Sequence, residues 1–239
     1  YKHNDMQDLE AKILATPCSR GLIVSDAVFS MDGDIVDLPA LVALGQKYHL
    51  LTMIDEAHAT GVIGKTGHGT LEHFGSTCKP DILMGTLSKA LGSEGGYACA
   101  SKVIIDYLKN KARSFIFATS QAPAALAAAL RAIEVLEEEP QRAQSLQHNV
   151  DFFLNALHAE GVEAYSPTAI IPVIIGDEAT ALQVADELLA NGVLAPAIRY
   201  PTVAKGTARL RIALMATHTE AELTQTAKLI GAAIRKYKK

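Results

Sequence analysis

The sequence has no CxxC pair, no GxSxG nucleophile elbow, no long basic run and no segment apolar enough to span a bilayer. Each absence removes a class of function. The three cysteines, Cys18, Cys78 and Cys99, leave one unpaired in any disulfide scheme, which argues for a reducing compartment and for thiols that fill the core. A formal net charge of -4 over 239 residues, without a basic tract, argues against nucleic acid or an anionic membrane surface and for small-molecule partners. The opening YKHNDMQDLE carries neither the cationic stretch nor the apolar core of a signal peptide, so a soluble, cytoplasmic protein is expected. Without a GxSxG frame Ser30 is not expected to be a nucleophile, which leaves its hydroxyl a hydrogen-bonding role. Repeats and low-complexity linkers are also lacking.

What is present is an alternation. Apolar, β-branched runs at 21–29, 50–54 and 81–87 are separated by glycine-rich stretches and by 38–48, where apolar residues recur at helical spacing. That rhythm predicts a mostly parallel sheet with flanking helices. Short runs at 96–100 and 115–118 read as further strands, and 123 to about 157 reads as a long helix interrupted or bent near Pro140. Beyond it, strand-like segments at 170–175, 193–198 and 210–214 alternate with helices at 179–190 and 220–237. The expectation is an α/β large domain over residues 1–143 and a smaller α/β domain over residues 144–239.

Two stretches carry chemistry. In LLTMIDEAHATG an apolar strand ends at Asp55, His58 follows three residues later, and Gly61 closes the turn; carboxyl ends of strands are where open α/β sheets bind ligands. An acid there can bind metal, cap a helix or hold a cationic heterocycle. In GTLSKALGSEGG a lone Lys89 follows an apolar run and is bracketed by Thr86, Ser88 and glycines, a place for a salt bridge, a phosphate contact or a nucleophile. Taken together, the two favour an aldehyde cofactor such as pyridoxal phosphate, which needs a lysine for its Schiff base, a carboxylate for its ring nitrogen and donors for its phosphate. Lys89, Asp55 and Thr86 can supply them.

A rival reading combines DEAH with the GKT of ATGVIGKT as a nucleotide-binding protein. A phosphate loop should follow its own strand and open a helix. Here the acid lies only a few residues before the loop, Ala59 stands where its first glycine should, and GHGT follows where the helix should begin. His58, His68 and His73 with Glu72 match no compact metal-ligand spacing.

The segments VSDAVFSMDGDIVDLPALVAL, IDEAHATGVIGKTGHG, GTLSKALGSEGGY, RSFIFATSQAP and PTVAKGTARLRIAL, in this order and over nearly the whole chain, resemble the α-oxoamine synthases, pyridoxal-phosphate enzymes of the aspartate-aminotransferase fold. The resemblance implies a homodimer with active sites at the subunit interface that condenses an amino acid with an acyl-coenzyme A thioester and releases carbon dioxide. It puts the Schiff base on Lys89, the ring-nitrogen contact on Asp55, and the phenolic-oxygen contact on His58 with Ser30 nearby. Thr86 would contact the phosphate, and Thr119 with Ser120 the phosphate of the neighbouring subunit's cofactor. Arg211 would fork onto the amino-acid carboxylate, although Arg209 points to the same face of its strand and pattern alone leaves the choice open.

Within the family, TAIIPVIIGD and GTARLR favour use of L-alanine with a pimeloyl thioester over glycine with acetyl-coenzyme A, whose users have GQARIR. Glu94 departs from the small or apolar residue usual in its loop. The family's glycine-containing phosphate loop and ring-stacking histidine precede the segment resembling YKHNDMQDLE and are not in these residues. The chain is therefore expected to be the C-terminal part of a longer enzyme, and to fold poorly and turn nothing over when made alone.

Overall fold

The computed structural model describes residues 1–16, 18–75 and 77–237. The chain divides into two compact units: Tyr1–Val28 with Ile35–Pro140, and Phe29–Asp34 with the residues from Gln141 onward.

The first unit is built on a four-stranded sheet. Helix α1 (Met6–Ala15) precedes β1 (Leu22–Asp26), then come α2 (Leu38–Tyr48) and β2 (Leu51–Asp55). Asp37 starts α2 by accepting from the Ala40 N–H at 3.1 Å, with a proline in the first turn, and His49 ends it in the left-handed region at φ 54°. That cap gives one orphan amide an acceptor, and His49 stops the helix after one buried stripe, Leu38, Leu41 and Val42. The short α3 (Thr70–Phe74), β3 (Ile82–Thr86) and β4 (Gly96–Ala100) follow. The unit ends with α4 (Lys102–Lys111), α5 (Arg113–Ile116) and α6 (Pro123–Glu138).

Strand order is β1-β2-β3-β4. The first three run parallel, with Leu22 opposite Leu51 and Asp26 opposite Asp55, whereas β4 returns antiparallel, with Thr86 opposite Gly96. Parallel strands put their carboxyl ends on one edge, so Asp26, Asp55 and Thr86 end there side by side.

The second unit contains α7 (Gln141–Ala159), β5 (Ile170–Gly176), α8 (Glu178–Ala190), β6 (Ala197–Ile198), β7 (Ala208–Ala213) and α9 (Glu220–Tyr237). Its sheet, in order β5-β7-β6, is antiparallel throughout. Val150, Phe153 and Leu157 of α7, Ile171 of β5, Leu210 of β7 and Ile230 of α9 are fully buried. Burying such side chains contributes roughly 1.5–3 kcal/mol each.

Two expectations need correction. Residues 115–118 form no strand: Phe115 and Ile116 donate to the Ala112 carbonyl and Phe117 to that of Arg113, closing a helical turn. Three consecutive apolar residues carry no periodicity that distinguishes the two. Nor are the cysteines core fillers, since Cys18 and Cys99 are exposed and Cys78 is half-buried. Cys99 sits on an edge strand whose residues are mostly exposed, and Cys18 in the connection between α1 and β1.

Candidate active site

The lysine loop spans the turn between antiparallel β3 and β4. Leu87 donates to the Gly95 carbonyl at 2.9 Å and Ser93 donates back to Leu87 at 2.8 Å, which cinches the loop at its base. Leu87 and Leu91 are buried against Ala129 of α6, and the Ser93 hydroxyl donates to the Ala125 carbonyl at 2.5 Å. Two apolar anchors thus point inward, and Lys89 between them is left exposed.

Opposite stands the turn after β2. Its amides at Ala59 and Thr60 donate to the Glu56 carbonyl, and the Ala57 N–H donates to Asp55 Oδ1 at 2.8 Å. Asp55 therefore keeps Oδ2 without a donor among the described residues. Gly61 lets turn and loop close up: at φ +79° a Cβ there would fall 2.6 Å from that of Ala90. With that approach, Lys89 Nζ comes within 3.0 Å of His58 Nε2.

The Thr86 hydroxyl ends β3 at 2.7 Å from that of Ser88 and donates to the Gly95 carbonyl at 3.1 Å. Lys89, His58, Asp55 and Thr86 thus all belong to the carboxyl edge of one sheet. Thr119 and Ser120 lie exposed after α5 in the same unit.

Ser30 and Arg211 meet in the second unit, where Arg211 Nε donates to the Ser30 carbonyl at 2.6 Å. The Ser30 contact is thus through its backbone. Arg209 and Arg211 share a face of β7 as alternation requires, but they differ in occupancy. Arg209 Nη1 is 2.5 Å from Asp32 Oδ1 and 3.3 Å from the Met31 carbonyl, and its Nε donates to Thr207. Arg211 has no carboxylate partner among the described residues, and burial pushes its guanidinium below the usual value.

Several site residues escaped the sequence reading. Asp26 is the register partner of Asp55, so the two side chains lie on the same face of strands about 4.8 Å apart. Burial first, and then the charge of Asp55, push the Asp26 carboxyl above its ordinary range, with Lys89 and His3 pulling the other way. Its strand-end position was the signal. Glu56 is buried and accepts from the Thr70 N–H at 3.0 and 3.3 Å, serving as the cap that Gly69 cannot provide for α3. Burial raises its pKa, against bonds from Thr70 and Thr60. The Thr60 hydroxyl is 3.0 Å from that of Tyr97, whose own pKa burial raises.

The GKT turn is not a phosphate cradle. Both donors of its Thr66 go to Glu72, which accepts from the Thr66 N–H at 3.0 and 3.1 Å and from the Thr66 hydroxyl at 2.7 Å, and also from the His68 N–H at 3.1 Å.

The chain is 48% identical over 232 residues to "8-amino-7-oxononanoate synthase 1" of Bacillus subtilis, covering 96% of this chain and 59% of that protein. It spans about three fifths of the length of such relatives. Among solved structures, a serine palmitoyltransferase of Sphingomonas wittichii matches with a TM-score of 0.92 at 30% identity, over 98% of this chain and 60% of that one. An 8-amino-7-oxononanoate synthase of Francisella tularensis matches with a TM-score of 0.83 at 28% identity, over 99% and 68%. The model of the aminotransferase class I and II family matches residues 1–230, which include the lysine loop, the Asp55 turn and both arginines of β7. This chain belongs to the aminotransferase class I and II family.

Proposed function

We propose that the protein containing this chain is a pyridoxal-phosphate-dependent acyltransferase. It joins L-alanine to pimeloyl-coenzyme A, releasing carbon dioxide and coenzyme A and forming 8-amino-7-oxononanoate for biotin synthesis. The observation that carries the reading is the approach of Lys89 Nζ to His58 Nε2 at 3.0 Å at the same carboxyl edge of the sheet where Asp55 ends β2.

The donor set fits the cofactor. An exposed primary amine can take an aldehyde, the unpaired oxygen of a strand-end carboxylate can take a ring N–H, and the Thr86 and Ser88 hydroxyls can turn to a phosphate. Bound pyridoxal phosphate supplies an electron sink for the bond-making carbon of the amino acid.

The chain's own groups do the rest. Asp55 holds the proton on the ring nitrogen. Lys89 Nζ would serve as the base that takes the proton from the substrate Cα, and His58 Nε2, 3.0 Å away, would exchange that proton or hydrogen-bond the phenolic oxygen. Arg211, which has no carboxylate partner among the described residues, binds the amino-acid carboxylate with both Nη groups. Thr119 and Ser120 serve the phosphate of a second copy, in a homodimer.

The protein containing this chain, treated with pyridoxal phosphate and borohydride, is expected to carry the pyridoxyl group on Lys89 by peptide mapping. Label elsewhere, or none, would end the cofactor assignment. With alanine and pimeloyl-coenzyme A it is expected to turn over well, and poorly with glycine and acetyl-coenzyme A. Reversed preferences would make it a 2-amino-3-ketobutyrate ligase.

A further inference from the structure

The segment Phe29–Asp34 leaves the first unit and is part of the second. It is closed on itself and fastened at several points. Phe29 donates to the Asp34 carbonyl at 3.0 Å and Gly33 donates to that of Phe29 at 2.8 Å. The Thr168 hydroxyl donates to the Gly33 carbonyl at 2.8 Å. Gly33 has φ +74°, and a Cβ there would lie 2.1 Å from the Ile170 carbonyl oxygen, so the loop presses backbone against backbone on β5.

The loop's charged fastening is Asp32 on Arg209. The Arg209 side chain is 8% exposed and that of Asp32 44%, so a mostly desolvated cation is answered by an anion that water still reaches. Two residues along the same strand, Arg211 spends only Nε on the loop, at the Ser30 carbonyl. Its Nη groups have no hydrogen-bond partner among the described residues. Because the acceptor is a backbone atom, its place depends on what holds the loop.

We infer that the Asp32–Arg209 ion pair positions Arg211, by fixing the loop whose Ser30 carbonyl sets the guanidinium's orientation, and so determines affinity for the carboxylate of the amino-acid substrate. The inference rests on the assignment of Arg211 to that carboxylate. Asp32 and Arg209 touch no substrate in this scheme. They act through Arg211, and a shift of about 1 Å in such a group is worth up to roughly 10²-fold.

The test is steady-state kinetics of the whole enzyme bearing Asp32→Asn and, separately, Arg209→Lys. The KM for the amino acid is expected to rise about tenfold, while kcat and the KM for acyl-coenzyme A change less than about twofold. Asp32→Glu is expected to recover part of the loss. In an Arg211→Lys background, Asp32→Asn should add nothing further, as expected of residues acting through one group. If Arg211→Lys raises the amino-acid KM but neither Asp32→Asn nor Arg209→Lys does, the positioning role is wrong. An equal loss in all parameters would also overturn it, because it would mark a general loss of fold. Arg211→Lys without effect would instead remove the carboxylate assignment, and the inference with it.

Discussion

Lys89 Nζ lies 3.0 Å from His58 Nε2, so one of the two must lend a lone pair. Two protonated partners would repel at this distance, so the contact pairs one donor with one acceptor. In His58→Asn that exchange is lost while the lysine remains exposed. Cofactor attachment, followed by absorbance, is expected to persist, and turnover to fall about 10²-fold or more. Unchanged turnover would reduce His58 to a resting contact.

Asp55→Asn keeps the shape and the bond from Ala57 but removes the anion that favours a protonated ring nitrogen. Cofactor should still attach to Lys89, and turnover should drop by roughly 10²–10⁴-fold. A variant that works at the original rate would make Asp55 a turn-stabilising residue only.

Asp26 gives a pH signature. Its folded-state pKa is raised, by burial and by Asp55, so its ionisation opposes folding. That cost is absent below the unfolded value of about 3.9 and grows as pH rises through the raised folded value. Asp26→Asn is therefore expected to raise Tm at pH 7 in the cofactor-free enzyme and to leave it unchanged near pH 3. Equal melting at both pH values would show that the carboxyl is not held against its neighbour.

Glu56 tests the support beneath the site. Glu56→Ala would orphan the Thr70 N–H, which Glu56 now accepts from at 3.0 and 3.3 Å. A loss of about 1–3 kcal/mol is expected for the unpaired amide, with faster hydrogen exchange at Thr70 as its local mark. Retained protection there would mean that α3 caps itself.

Much of the first unit was legible because its signals are local. The helix at 38–48 announced itself by period, and Asp55 and Lys89 by their places after apolar strands. Other features depend on atoms far apart in the chain. The choice between Arg209 and Arg211 was open on β7, where alternation treats them alike, and the distinguishing partner, Asp32, is 177 positions away from Arg209. The Lys89 contact with His58 needs Gly61 to admit Ala90, which no motif records. Glu56 read as one letter of DEAH, although its work is to cap a helix fourteen residues later. The FIF run at 115–117 had too few residues to show a period.

The backbone passes between the units three times, after Val28, after Asp34 and after Pro140. A protease that cuts once, near Pro140, would therefore leave two fragments that are still threaded together. The larger would carry the 29–34 loop, and the smaller would hold it through Arg209, Arg211 and Thr168. The nicked protein should migrate as two bands under denaturing conditions and as one species on a sizing column, separating only when the loop's grip is released by salt, denaturant or a second cut.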